Sequence, residues 1–241
     1  MHFLQELKFD WITLLNFNKR PFRAKFIPAK VWDDLDLYRN NSEGLSNYVK
    51  KWRTRIEWKP ELSKRKVFDT HVAVGGEYDM EFRQCCLIIY AKGGFDKFPF
   101  TDKTWDAFKY KIIQTEMHEI IHFMQYDRRG DEWSGYVVPY KKVGSKKKDE
   151  ERKYLSEFDE IQAYAHCVYL DFKTRRPNIP VSVLLERCKR KSDSQTFGYI
   201  MRTFNRDFRN NEALPKLVQQ IAKWDRKYER KFLRKKTWKK N

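Results

Sequence analysis

The chain has 241 residues, 41% hydrophobic and 16% aromatic, so it can bury a core and is too apolar for a disordered polypeptide. Lys and Arg number 51 against 33 Asp and Glu, a net charge of +18 that speaks of anionic partners and says nothing of fold. No apolar run approaches the ~18 residues that span a bilayer, and residues 1–8 lack the basic-then-apolar order of a secretory signal.

Residues 1–30 mix aromatic and basic side chains around Pro21 and Pro28. Phe22, Ala24 and Phe26 alternate with Arg23 and Lys25, which predicts a short strand. Residues 33–41 suit one short helix. Leu45, Tyr48, Val49, Trp52 and Ile56 recur at helical spacing, with Ser42 as N-cap and Pro60 limiting the end. Residues 67–74 are rich in β-formers. Gly75-Gly76 reads as the turn of a hairpin whose loop covers 75–80 and whose second strand covers 81–91. His71 lies on the first strand; it reads as a polar strand residue, with metal ligation the alternative. Cys85, Cys86, Cys167 and Cys188 make no C-x-x-C pair and no disulfide framework. Reduced, buried thiols and a cytoplasmic or virion location are therefore expected, not secretion.

Residues 101–126 read as a helix capped by Thr101 or Asp102 and closed by Gly130 in the left-handed conformation. Inside it stands His118-Glu119-Ile120-Ile121-His122, an H-E-x-x-H sequence. Positions i and i+4 share a helix face, so two imidazoles can reach one metal ion. Glu119 sits beside them as a carboxylate for a metal-activated water. Tetrahedral zinc with one open position is the ion this pattern suits. Gln125 falls on the same side as the histidines. The bland alternative is an amphipathic helix whose polar face holds two histidines.

Residues 131–153 read as a long, exposed basic loop containing Lys146, Lys147 and Lys148. Ser156 is expected to cap a further helix, with Asp159 in the capping-box position. Two histidines do not complete a catalytic zinc site, so a third ligand is sought there. Glu160, Glu157 and His166 all offer a ligand atom, and each is also readable as an ordinary helix side chain.

The order of helix, strands and H-E-x-x-H helix resembles the zincin metallopeptidases over roughly residues 67–172. The run Glu160-Ile161-Gln162-Ala163-Tyr164-Ala165 resembles the E-x-x-A element that supplies the glutamate ligand in gluzincins. The pairing of both segments is similar to metallopeptidase-like proteins encoded by tailed phages. The resemblance implies Glu160 as third ligand, with Glu157 second choice and His166 third. It also implies that the strand before the motif helix borders the cleft and pairs with extended substrate, which would put Cys86, Ile88 and Tyr90 against a peptide. Gluzincins carry an Asp four residues after the ligand Glu; here that position is Tyr164, so the partner of His118 is unassigned.

Pro177 and Pro180 break the chain, residues 181–190 and 194–208 suit short helices, and Leu217, Ile221, Trp224, Tyr228 and Phe232 mark a last helix. Residues 223–241 hold ten Lys or Arg and two acidic residues, a net of +8. Arg234, Lys235 and Lys236, with Lys146 to Lys148, are candidate contacts for nucleic acid or an acidic partner.

The sequence thus predicts an α+β fold with a zincin-like core, in three parts: residues 1–66, a catalytic core over 67–176, and a helical basic region over 177–241. It predicts zinc-dependent hydrolysis of a protein or peptide substrate, with His118, His122 and Glu160 as ligands and Glu119 as general base. Tyr164, Tyr136 and Tyr140 are candidate oxyanion donors. The rival reading is a non-catalytic basic protein, structural or nucleic-acid-associated, that retains the fold. A deaminase-like metal enzyme is a poor reading, because neither H-x-E nor P-C-x-x-C occurs.

Overall fold

The six residues from Cys85 to Tyr90 are almost all apolar, which suits a strand covered on both faces. In the computed structural model they form the middle of a three-stranded sheet. The structure describes residues 29–59, 72–91, 93–130, 132, 134–187 and 194–238, the side chains of Ala29 and 229–238 excepted. The predicted strand at 22–26, His71 and Cys188 lie outside the described residues. Eight α-helices and three strands are described, a mixed α+β fold. None of these helices is long and apolar enough to cross a membrane.

The described chain divides into two compact units, with the division at residues 131 and 132. The first contains α1 (Ala29–Asp36), α2 (Ser42–Val49), β1 (Thr54–Lys59), β2 (Val72–Asp79), β3 (Gln84–Ala91) and α3 (Asp102–Arg129). Strand order is β1-β3-β2, with β1 parallel and β2 antiparallel to β3. β1, from residues before 67, pairs with β3 along the sheet. Helical spacing misled at Ile56: α2 stops at Val49, and Arg53 in the left-handed conformation redirects the chain into β1. Asn41, not Ser42, caps α2, accepting from the Gly44 N–H.

Gly75 and Gly76 do not turn the chain. Both are in β2, where Gly76 pairs with Leu87, and the reversal comes at residues 80–83. There Asp79 accepts from the Phe82 N–H and Arg83 takes φ 47°. Polar Asp79 performs the turn chemistry that the glycines suggested.

Helix α3 packs on β2 and β3. Thr101 and Thr104 form a reciprocal capping box at its start, and Gly130 closes it at φ 67°. Its first turns are anchored by Phe95, Phe100, Trp105 and Phe108, with ring centroids 5.0–6.2 Å apart. Trp105 donates to Asp36 at 2.8 Å, and buried Lys109 pairs with Asp36 and Asp106. Long-range aromatic packing of this kind holds a helix in one rotational setting.

Under the sheet, Glu116 accepts a 2.6 Å hydrogen bond from the Thr54 hydroxyl. Its Oε2 is buried with no hydrogen-bond partner among the described residues. Burial pushes this carboxyl from 4.5 up to about 7, with the Thr54 bond acting against that rise. The folded value lies above the unfolded one. The favourable contribution of the protonated form is therefore present in full below pH 4.5 and lost as pH rises to about 7. Glu116→Gln stays neutral, so its stability relative to the wild type rises over that window, by on the order of 1–3 kcal/mol. Urea melts of both proteins at the two ends of the window check this; a difference independent of pH contradicts it.

The second unit contains α4 (Lys146–Ser156), α5 (Phe158–Arg175), α6 (Val181–Arg187), α7 (Gln195–Thr203) and α8 (Ala213–Trp238). The expected loop over 131–153 is therefore helical from Lys146, and Ser156 ends α4 and does not cap α5. Glu157 holds the N-cap position of α5 without a side-chain bond. Segment 136–138 runs beside this junction, through Val138 N–H to Ser156 O at 2.8 Å and Phe158 N–H to Tyr136 O at 3.0 Å. Helix α8 packs on α5. Tyr169 stacks on Tyr228 at 5.0 Å, and Lys173 pairs with Asp225 at 3.2 Å. The last helix thus buries its apolar stripe on α5.

Candidate metal centre

The period of α3 puts His118 and His122 one turn apart on one face. Both are buried, and their Nε2 atoms are 3.1 Å apart. His122 Nδ1 lies 2.8 Å from Gln125 Oε1. An amide oxygen can only accept, so Nδ1 carries the hydrogen and the lone pair of His122 is on Nε2, facing His118. Two imidazole nitrogens so opposed need a proton or a cation between them. Tetrahedral zinc with bonds of about 2.05 Å requires ligand nitrogens roughly 3.3 Å apart. The observed separation is close to that.

Gln125 is the residue whose role the sequence showed only in outline. Its i+3 spacing from His122 placed it on the same face; the hydrogen bond to Nδ1 fixes the tautomer and the ring orientation.

Glu119 is buried beside the histidines, against the edge strand β2. A Cβ built on Gly76 would meet Glu119 Oε1 at 2.7 Å, Glu119 Cγ at 3.0 Å and Thr115 Cγ2 at 2.6 Å. A glycine inside a strand marks a close approach, and here what approaches is the carboxylate. At Gly75 an added Cβ meets only the Ile88 carbonyl, at 4.0 Å.

Glu160 is in the first turn of α5 and is buried. One ligand atom each from His118, His122 and Glu160 lie within 4.8 Å of one another. Two neutral imidazoles and one carboxylate are a donor set that catalytic zinc uses, with a position left for water. Glu157 is not in this group; it is half-buried at the start of α5. His166 is not in it either. Its Nε2 lies 3.0 Å from the Tyr228 hydroxyl and its ring packs on Trp224.

Tyr164 follows Glu160 by one turn. Burial first, and the Glu160 charge second, push its hydroxyl well above the ordinary value, with a side-chain hydrogen bond to Tyr154 acting the other way, so it stays protonated. Tyr136 is 55% exposed with its ring against Phe158, and Tyr140 is half-buried. Burial also raises Tyr140.

Cys86, Ile88 and Tyr90 do not border a cleft as edge-strand residues. They are buried on β3, whose two sides are taken by β1 and β2. An unbroken apolar run belongs to a central strand; the edge strand next to the histidine helix is β2. Lys146, Lys147 and Lys148 are exposed in the first turn of α4. Arg234, Lys235 and Lys236 lie on α8, their side chains outside the described residues.

Glu57, Glu77 and Cys86 form a second group of ligand types on the sheet. It does not suit an ion. Glu57 is paired with Lys59 at 3.1 Å, Glu77 has Arg55 at 3.6 Å, and burial holds the Cys86 thiol up at about 11.

No family model matches this chain, and no curated protein and no solved structure matches it.

Proposed function

We propose that this protein is a zinc-dependent peptide hydrolase. The observation that carries the reading is the buried pair of Nε2 atoms 3.1 Å apart, with one ring oriented by Gln125 and a Glu160 carboxylate oxygen within reach. His118, His122 and Glu160 would hold the ion. Zinc in such a site supplies Lewis-acid activation of a water and polarisation of a carbonyl. Glu119 accepts the proton of the attacking water and delivers it to the leaving amine. Thr115 and Gly76 hold its carboxylate in place. Tyr164, protonated at neutral pH, is the candidate donor to the oxyanion. The outer edge of β2 would align an extended substrate by main-chain hydrogen bonds.

The decisive experiment is metal analysis. The purified protein should hold about one zinc per chain, as a three-ligand site implies. His122→Ala should lose it, and Gln125→Ala should keep the site with about 10–100-fold weaker affinity, because an orienting partner is gone. Stoichiometric zinc in a His118→Ala, His122→Ala double variant would remove the proposal.

A further inference from the structure

We propose that Lys141, Lys142, Lys146, Lys147 and Lys148, together with Arg209, form a cationic face that binds the phosphate backbone of a nucleic acid. All six side chains are exposed. The stretch 141–148 holds five lysines and no acidic residue. Among the described residues none of these lysines has a carboxylate oxygen within ion-pair distance. Lys141 lies near enough to Asp207 to help hold that carboxyl below its ordinary value, after the Asn210 side-chain bond.

The lysines are presented by a braced segment. The Lys141 N–H donates to Asn211 Oδ1 at 2.8 Å, and the Glu212 N–H donates to the Pro139 carbonyl at 3.0 Å. Arg152, itself buried, donates from Nη1 to the Lys141 carbonyl at 2.9 Å and from Nε to the Thr203 carbonyl at 2.8 Å. The turn bearing Arg209 therefore lies beside Lys141. The acidic groups nearby are already engaged. Asp149 accepts from the Val143 N–H at 3.2 Å, and Asp207 accepts from the N–H groups of Arg209 and Asn210 and from the Asn210 amide.

This arrangement is locally unfavourable. Lys146, Lys147 and Lys148 occupy the first turn of α4, where the helix dipole disfavours cations, and Ser145 makes no side-chain cap bond. Asp149 is the one acid of that turn, and it is engaged by the Val143 N–H. Like charges gathered against the dipole gain from a polyanion, whose binding releases counterions. Lysine is a point charge without the planar fork of arginine, which suits contact with phosphates irrespective of base sequence.

The test is fluorescence anisotropy with full-length protein and a labelled oligonucleotide, single-stranded and duplexed, between about 50 and 200 mM salt. Wild type should bind with an affinity that falls steeply with salt. The variant carrying Lys141→Gln, Lys142→Gln, Lys146→Gln, Lys147→Gln and Lys148→Gln should lose roughly 4 from the slope of log affinity against log salt, about 0.7–0.9 per phosphate contact. Lys50→Gln with Lys51→Gln, on the first unit, should leave the slope unchanged. Circular dichroism melts should show all variants folded, since every altered side chain is at the surface. No binding by wild type at low salt, or an unchanged slope in the fivefold variant, overturns the proposal. So does polyglutamate binding as tightly as the oligonucleotide, which would make the partner an acidic protein.

Discussion

Glu119→Gln should cleave a mixed peptide library about 10²–10⁴-fold more slowly than wild type while keeping its zinc. The exchange preserves side-chain size, so the fit against Gly76 and Thr115 survives. The amide cannot accept a proton, so the water loses its base. Neither zinc content nor melting temperature should move appreciably, because Glu119 is not one of the three residues grouped as candidate ligands. The measurement is the initial cleavage rate of both proteins at matched zinc. Equal rates would show that hydrolysis arises elsewhere. Absence of cleavage by either protein, with zinc bound, would favour the structural reading over the enzyme.

Gly76→Ala should be nearly as damaging, and Gly75→Ala should not. The two glycines are adjacent in β2, yet their surroundings differ. At position 76 a methyl group would sit 2.6 Å from Thr115 Cγ2 and 2.7 Å from Glu119 Oε1. Thr115 is buried and β-branched, so it has little freedom to withdraw. β2 is tied to β3 along its length. The Glu119 carboxylate is the part that gives way, and a displacement of about 1 Å can cost on the order of 10²-fold in rate. The overpacking should also cost about 1–3 kcal/mol of stability. At position 75 the methyl group has open space apart from one carbonyl at 4.0 Å. Cleavage rates and urea melts of the two variants decide the matter. Equal losses would mean that strand glycine content, and not the approach of Glu119, limits activity.

Much of the site was legible because its signals are local. The spacing of His118 and His122 is a helix period, and the Thr101 and Gly130 ends are properties of short segments. Other parts misled for the same reason. Gly75-Gly76 looks like a turn in isolation, since glycine serves turns and close approaches equally. Lys146 to Lys148 read as loop because they sit in a long basic stretch, yet the chain is helical from Lys146. Ser156 carried the composition of a cap, but its chain position falls at the end of α4.

The amino-acid sequence by itself determined the helix of the two histidines, the carboxylate beside them, the residue types of the candidate ligand set and the positive charge, because each is written within a few turns of one chain. Only the tertiary structure decided which glutamate stands near the imidazoles, that β2 and not β3 is the edge strand beside them, and why Gly76 is glycine. It alone brought Lys141 beside the Arg209 turn. These features depend on register and on contacts between segments distant in sequence, and a period of 3.6 or 2 carries no information about either.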